Sequence, residues 1–296
     1  MCRALAFEGN SIRNYSLGRR LWEQLQRLAT PTSWPVRLAE NLGVAHTIGV
    51  EHHDVQVASS LGSAPMLRIA FASDFHAGPF TSERDIDDAI KLLVEARPDV
   101  LLLGGDFVSL RSEYAKSIAR RLGKIAAPFG RYAVLGNHDY WADGAGVAKH
   151  LQNAGIDMLT NRNVRLPEPF ENVSICGLDD HTSGEPDADA AFSNSTEVRV
   201  VLMHAPSGLM DIGDRSFTVA LCGHTHGGQI ALPNGRPMIV GHGPLSRHYN
   251  AGRFAVAGER TLIVSRGVGC TALPIRFNAA PAILTCTLHG PPVDAK

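Results

Sequence analysis

The 296-residue chain has few cysteines, no long apolar run and no excess of either charge, and each shortage removes a class of protein. Its five cysteines, Cys2, Cys176, Cys222, Cys270 and Cys286, are widely separated and contain no C-x-x-C pair. Neither a disulfide framework nor a zinc ribbon is therefore indicated, and a reducing compartment is expected. No stretch approaches the roughly 18 consecutive apolar residues that a membrane-spanning helix needs, and the amino-terminal region lacks the apolar centre of a signal peptide. The expected location is cytoplasmic. With 28 Lys+Arg against 29 Asp+Glu the formal charge is -1, which argues against stable nucleic-acid binding. Charged residues amount to only 19%, too few for a disordered or coiled-coil chain. Histidine is abundant, with 13 residues beside 29 Gly and 17 Pro, a composition that points to many functional loops. The 44% hydrophobic content can fill the core of one large α/β domain or two small ones.

Up to residue 37 there are six arginines (Arg3, Arg13, Arg19, Arg20, Arg27, Arg37) against two acids, Glu8 and Glu23, so this arm is basic. Leu17, Leu21, Trp22, Leu25 and Leu28 share one helical face, opposite Arg19, Arg20, Glu23, Gln26 and Arg27. Two uses of such a helix are open. Its leucines can dock on the parent domain, or it can lie on anionic lipid and give peripheral contact with the inner face of a membrane. Pro31 and Pro35 are expected to end it, and residues 46–66 read as a short strand or connector.

From Leu67 onward one pattern recurs. Residues 67–72 form an apolar run that stops at Ser73-Asp74-Phe75-His76. A helix with a Ser82/Asp85 capping box follows, then the run 99–103, which stops at Gly104-Gly105-Asp106. A helix within 111–125 leads to the strand 131–135 and to Gly136-Asn137-His138-Asp139. Further strands are expected at 173–176, 197–203, 218–222, 261–264 and 283–288, two of them ending at His204 and at His224-Thr225-His226. Residues 184–195 read as a surface loop. The run of consecutive strands in the second half predicts a mixed sheet or a second sheet. In α/β sheets ligands bind beyond the carboxyl ends of strands, so five such ends bearing Asp, Asn and His predict one convergent site.

The set Asp74, His76, Asp106, Asn137, His138, His204, His224 and His226 combines imidazole nitrogen with carboxylate oxygen, which suits divalent zinc, manganese, iron or cobalt. In D-x-H and H-x-H, residues i and i+2 of an extended segment point the same way, so each pair can address one metal region. Two ions about 4 Å apart need a bridging anion, and Asp106, at a central strand end, is the best placed. Such a pair acidifies a bound water and clamps the oxygens of an in-line displacement at phosphorus.

At these residues the chain resembles the calcineurin-like metallophosphoesterases, whose series D-x-H, G-D, G-N-H-[DE], H and G-H-x-H occurs here in order between Asp74 and His226. The phrases SDFHAGP, LLGGDFV, GNHDYW, GHTHGGQ, SRGVG and PIRF are similar to the bacterial YkuE/YaeI-type phosphodiesterase branch. The resemblance implies an α/β fold in four layers, a β-sandwich of mixed sheets flanked by helices, over residues 67–290, with residues 1–66 as the amino-terminal arm and connector. It implies two divalent metal ions. Asp74, His76, Asp106 and His226 would hold one, and Asp106, Asn137, His204 and His224 the other. His138 would be the non-ligand catalytic histidine, and the nucleophile a metal-bound hydroxide. The implied activity is a phosphodiesterase acting on a phosphodiester or pyrophosphate, with lipid-linked or nucleotide-containing substrates. The alternatives are a phosphomonoesterase or nucleotide phosphatase, and a non-catalytic scaffold of the same fold.

Departures narrow the class. Protein serine/threonine phosphatases carry G-D-x-x-D-R-G, whereas Ser109 and Leu110 stand here at the second Asp and the Arg. Purple acid phosphatases place Tyr where Ser109 stands. Arg266 and Arg276 are the chosen substrate-binding residues, because a guanidinium fork matches phosphate oxygens. Tyr140, His242, Arg247 and His248 are weaker candidates for the same task, and Asp179-Asp180 reads as a turn or a pair behind the ligands.

Overall fold

A computed structural model describes residues 17–44, 46–238 and 243–291. Helices α1 (Leu17–Ala29) and α2 (Trp34–Asn41) precede β1 (Gly49–Gln56). Strands and helices then alternate through β2 (Met66–Ala72), α3 (Glu83–Glu95), β3 (Val100–Leu103), α4 (Ala115–Leu122), β4 (Arg131–Ala133), α5 (Asn137–Asn153) and β5 (Asp157–Met158). The second half holds β6 (Arg162–Arg165), β7 (Val173–Gly177), α6 (Ala188–Phe192), β8 (Val198–Leu202), α7 (Gly208–Ile212) and β9 (Val219–Cys222), then β10 (Gly252–Val256), β11 (Arg260–Val264) and β12 (Ala282–His289).

The strands form two six-stranded mixed sheets, ordered β1-β12-β2-β3-β4-β5 and β10-β11-β9-β8-β7-β6. In the first, β2 to β5 are parallel, and β12 returns antiparallel beside β2. In the second, β7, β8, β9 and β11 are parallel, with β6 and β10 antiparallel at the edges.

Strand alternation sets the layers. Leu67, Ile69 and Phe71 of β2 share an apolar cluster with Val200 and Leu202 of β8 and with Val219 and Leu221 of β9, so these faces of the two sheets meet. Ala70 and Ala72 point the other way, to Ile86 and Leu93 of α3, Ile118 of α4 and Val147 of α5. Beyond the second sheet, Val201, Met203, Ala220 and Cys222 pack with Ala188 of α6 and Ile212 of α7. The result is helix, sheet, sheet, helix. Strands covered on both faces must be apolar throughout, which is why 100–103 and 219–222 read as unbroken runs rather than alternating ones.

Three local expectations differ. Pro35 does not end a helix but begins α2, where its missing N–H has no helical partner to lose. Residues 184–195 contain α6, capped by the Asp187 carboxylate accepting from the Ala190 N–H at 3.0 Å. The Ser82 hydroxyl accepts from the Arg84 N–H, but Asp85 turns to His46 Nδ1 at 3.0 Å instead of closing the capping box. Within the connector, β1 is bound in parallel register to β12, from Gly49 opposite Ala282 to Gln56 opposite His289.

Candidate metal centre

Five strands of the two sheets stop on the same side. β2 leads to Asp74 and His76, β3 to Asp106, β4 to Asn137 and His138, β8 to His204, and β9 to His224 and His226. Asp74 ties the sheets together there, because its carboxylate accepts the His224 backbone N–H at 3.0 Å. The i, i+2 reading of D-x-H and H-x-H as extended segments does not hold. Asp74, His76, Asp106, His224 and His226 have φ of 55, 45, 54, 72 and 53°, in the left-handed region. A non-glycine residue there costs about 1 kcal/mol or more, and such strain gathers at functional sites whose surroundings enforce it. The side chains converge through loop curvature, not through strand alternation.

Among the described residues three groups could hold a metal ion, the donor atoms of each falling within 4.8 Å of one another: Asp74, His76 and His226; His76, Asp106 and His138; Asp106, His204 and His224. Asp106 belongs to two of them. Its Oδ2 lies 3.5 Å from His76 Nε2 and 3.3 Å from His204 Nε2, while its Oδ1 accepts the His138 backbone N–H at 2.8 Å. Asn137 Oδ1 lies 3.1 Å from His204 Nε2. His76 Nε2 is 3.0 Å from His226 Nε2, and His204 Nε2 is 3.1 Å from His224 Nδ1. Imidazole nitrogens converging this closely need a shared proton or a shared cation between them, so the donor set fits divalent ions.

The hydrogen bonds fix ring orientation. His204 Nδ1 donates to the Gly104 carbonyl at 2.8 Å, which turns Nε2 toward Asp106 and Asn137. Burial, then His138, holds the pKa of His76 well below the usual imidazole value, and burial with Arg276 does the same for His226. Both are neutral, the form that ligates. For His204, burial acts downward but the charge and hydrogen bond of Asp106 outweigh it and raise its pKa. Burial likewise opposes the ionisation of Asp106, yet His204 and His138 drive its pKa well down. This buried ion pair marks the spot in the fold where positive charge is favoured.

Spacing alone gave Asp139 no role, although it binds two of the loops together. Its Oδ1 accepts the N–H groups of Phe107 and Val108 at 2.8 and 3.2 Å, and its Oδ2 accepts that of Gly136 at 3.0 Å. Burial and Asp106 push its pKa up to about 8. An acid three residues inside a helix start was the legible signal. The glycines of the two loops meet back to back. Gly105, at φ 85°, would drive a side chain into the backbone of Gly136, and a methyl on Gly136 would strike Asp106 and the His204 ring. Trp141, one turn along α5 from His138, sets its ring 4.7 Å from that imidazole.

The remaining candidates fare differently. Arg276 donates to the carbonyls of Gly269, Ala279, Arg266 and His226, and its Nη2 lies 3.1 Å from His226 Nδ1. It holds the loop that carries His226. Arg266 packs its stem beside Gly227 and pairs its guanidinium with Glu51 of β1. The Tyr140 hydroxyl donates to Asp179 at 2.5 Å, and Arg247 and His248 are exposed. His242 lies outside the described residues. Asp180 is buried, with Oδ2 accepting from Thr182 and Ser183 and Oδ1 without a hydrogen-bond partner.

The sequence model of the calcineurin-like phosphoesterases matches residues 67–228. Metallophosphoesterase YkuE of Bacillus subtilis is 30% identical over 251 residues, covering 83% of this chain and 87% of YkuE. Phosphodiesterase YaeI of Escherichia coli is 33% identical over 234 residues, covering 75% of this chain and 82% of YaeI. A solved structure from Thermus thermophilus aligns with a TM-score of 0.44 at 13% identity, over 69% of this chain and 90% of that one. The span matched by the family model encloses every strand end that brings an Asp, Asn or His to this centre, and the chain belongs to the calcineurin-like phosphoesterase family.

Proposed function

We propose that the protein is a metal-dependent phosphodiesterase that hydrolyses a phosphodiester or pyrophosphate bond at a dinuclear centre. The observation that carries this reading is the chain of overlapping ligand groups, Asp74/His76/His226, His76/Asp106/His138 and Asp106/His204/His224, linked through His76 and Asp106. Asp74, His76, Asp106 and His226 would hold one divalent ion, and Asp106, Asn137, His204 and His224 the other. Ions there would supply Lewis acidity toward the phosphoryl oxygens and lower the pKa of a coordinated water.

The protein's own residues do the rest. Asp106 presents Oδ2 between His76 on one side and His204 on the other, while the His138 backbone N–H fixes its Oδ1. His138 Nδ1 donates to the Ser109 carbonyl at 3.2 Å, which orients the ring; as the imidazolium, His138 would give its Nε2 proton to the leaving-group oxygen and remain as neutral imidazole. The Trp141 ring packs against that imidazole, with ring centroids 4.7 Å apart. The arginines favour a diester over a monoester. Arg276 is engaged with carbonyls and Arg266 with Glu51, so neither is a free fork for the second charge of a phosphate monoester. The phosphodiesterase activity by which YaeI is named points the same way.

The test compares bis-p-nitrophenyl phosphate with p-nitrophenyl phosphate, using chelator-stripped protein reconstituted with manganese or zinc. Metal-dependent turnover favouring the diester by about ten-fold or more is expected. A preference for the monoester would replace this reading with a phosphomonoesterase, and two bound ions without turnover of either ester would favour a non-catalytic scaffold.

A further inference from the structure

The amphipathic helix α1 is turned opposite to the usual arrangement in a globular protein. Its polar side faces the domain. Glu23 is 3% exposed, Arg27 donates to the Trp141 carbonyl at 3.3 Å, and the Arg27 carbonyl accepts from Arg111 at 3.2 Å. Leu21, Trp22, Leu25 and Leu28 face outward, Leu28 with 78% of its surface free. Docking of these leucines on the parent domain is therefore not what the fold does with them. Residues 34–42 continue the surface with Trp34, Leu38 and Leu42, and the Trp34 indole N–H donates back to the Ala29 carbonyl at 2.8 Å.

The surface extends onto two loops. Residues 229–238 and 271–278 are joined by the Ala231 N–H donating to the Phe277 carbonyl at 2.8 Å and the Gln229 amide donating to the Leu273 carbonyl at 3.0 Å. They leave Leu232, Met238, Leu273, Ile275 and Phe277 exposed. Pro274 lines a small cavity together with Val36 and Ala39, so these loops and α2 are neighbours. Elsewhere among the described residues the exposed large apolar side chains are only Met66, Val94 and Met210. Both halves of the surface flank the metal centre. Arg27 reaches the backbone of Trp141, whose ring lies against His138, and the loop 271–278 carries Arg276, which touches His226.

We propose that this face docks on an anionic lipid bilayer and sets the mouth of the metal centre at the membrane surface. Charge selects this occupant. Residues 1–37 carry six arginines against two acids, whereas the rest of the chain has 28 − 6 = 22 basic and 29 − 2 = 27 acidic residues. An apolar face carried by this basic amino-terminal segment, with Arg37 exposed beside Leu38, on an otherwise acidic protein, is complementary to negatively charged headgroups above acyl chains. Two of the three tryptophans, Trp22 and Trp34, lie on it, and tryptophan favours that boundary. A soluble monomer rarely leaves so large an apolar area bare. The docking does not depend on which phosphate ester is cleaved.

Flotation of the full-length protein with vesicles of phosphatidylcholine alone, or with about one third phosphatidylglycerol, tests it. At least about ten-fold stronger recovery with the anionic vesicles is expected. The double variant Leu25→Glu/Leu28→Glu should lose that recovery, and Phe277→Glu should weaken it several-fold, while both keep wild-type hydrolysis of a soluble ester. No flotation, or flotation unmoved by either variant, overturns the proposal. Loss in the double variant alone overturns the part of the loops. A wild-type dimer in sedimentation velocity that the double variant dissociates assigns the face to self-association instead.

Discussion

Asp106 and His138 stand next to each other but are assigned different work, and substitution separates them. Asp106 belongs to two ligand groups, whereas His138 belongs to one of them and its ring is held by Ser109 and Trp141. His138→Ala is expected to retain both ions, measured by elemental analysis, and to lower turnover by about 10²- to 10⁴-fold, the usual share of a general acid. Loss of an ion from this variant would make His138 a ligand, which its grouping with His76 and Asp106 also allows. Asp180 gives a prediction in pH. Burial raises its pKa from 3.8 to about 6. Between those values the folded chain keeps a proton that the unfolded chain has released, so Asp180 adds stability at low pH that is lost as pH rises toward 6. The difference is at most about 3 kcal/mol. Asp180→Asn should therefore raise the melting temperature of chelator-treated protein near pH 7 and leave it unchanged near pH 4, as read by calorimetry.

At the scale of elements, the centre depends on loops that approach more closely than side chains allow. The turn after β3 and the turn before α5 touch through Gly105 and Gly136, and Asp139 bonds to both. Gly136→Ala is expected to fold, since the sheets beneath are untouched, but to lose metal affinity by more than about ten-fold, because its methyl would displace Asp106 and His204. Isothermal titration with manganese measures this, and unchanged affinity would show that the loops can part without harm. A strand end followed by Gly-Asp or Gly-Asn-His was legible as a polar loop. The left-handed conformation of its Asp and His residues was not, because φ at Asp74 or His226 is imposed by neighbouring loops rather than by the local sequence.

Across the whole molecule, the centre joins the two sheets at the edge of their shared core. Asp74 comes from the first sheet and His224 and His226 from the second, so ions held there link both halves. Removing metal should lower the melting temperature, by the equivalent of about 4 kcal/mol when the ion is supplied at a thousand times its dissociation constant. Scanning calorimetry with and without chelator checks it, and equal midpoints would mean that the linkage carries no stability. No helix among the described residues is long and apolar enough to cross a membrane.

Sequence by itself determined what is local or additive. Unbroken apolar runs announced strands buried on both faces, five polar strand ends announced one site, and imidazole with carboxylate announced divalent metal. Tertiary structure decided what depends on distant neighbours. Helical periodicity shows that Leu21, Trp22, Leu25 and Leu28 share a face, but only the domain beside α1 determines that Glu23 and Arg27 turn inward. Arg266 and Arg276 look alike in sequence as phosphate forks. Glu51, distant in the chain, claims one, and the carbonyls around His226 claim the other. A guanidinium bonds to whatever acceptor the fold brings within reach, and reach is set by the packing of strands far apart in the chain, as β1 on β12 shows.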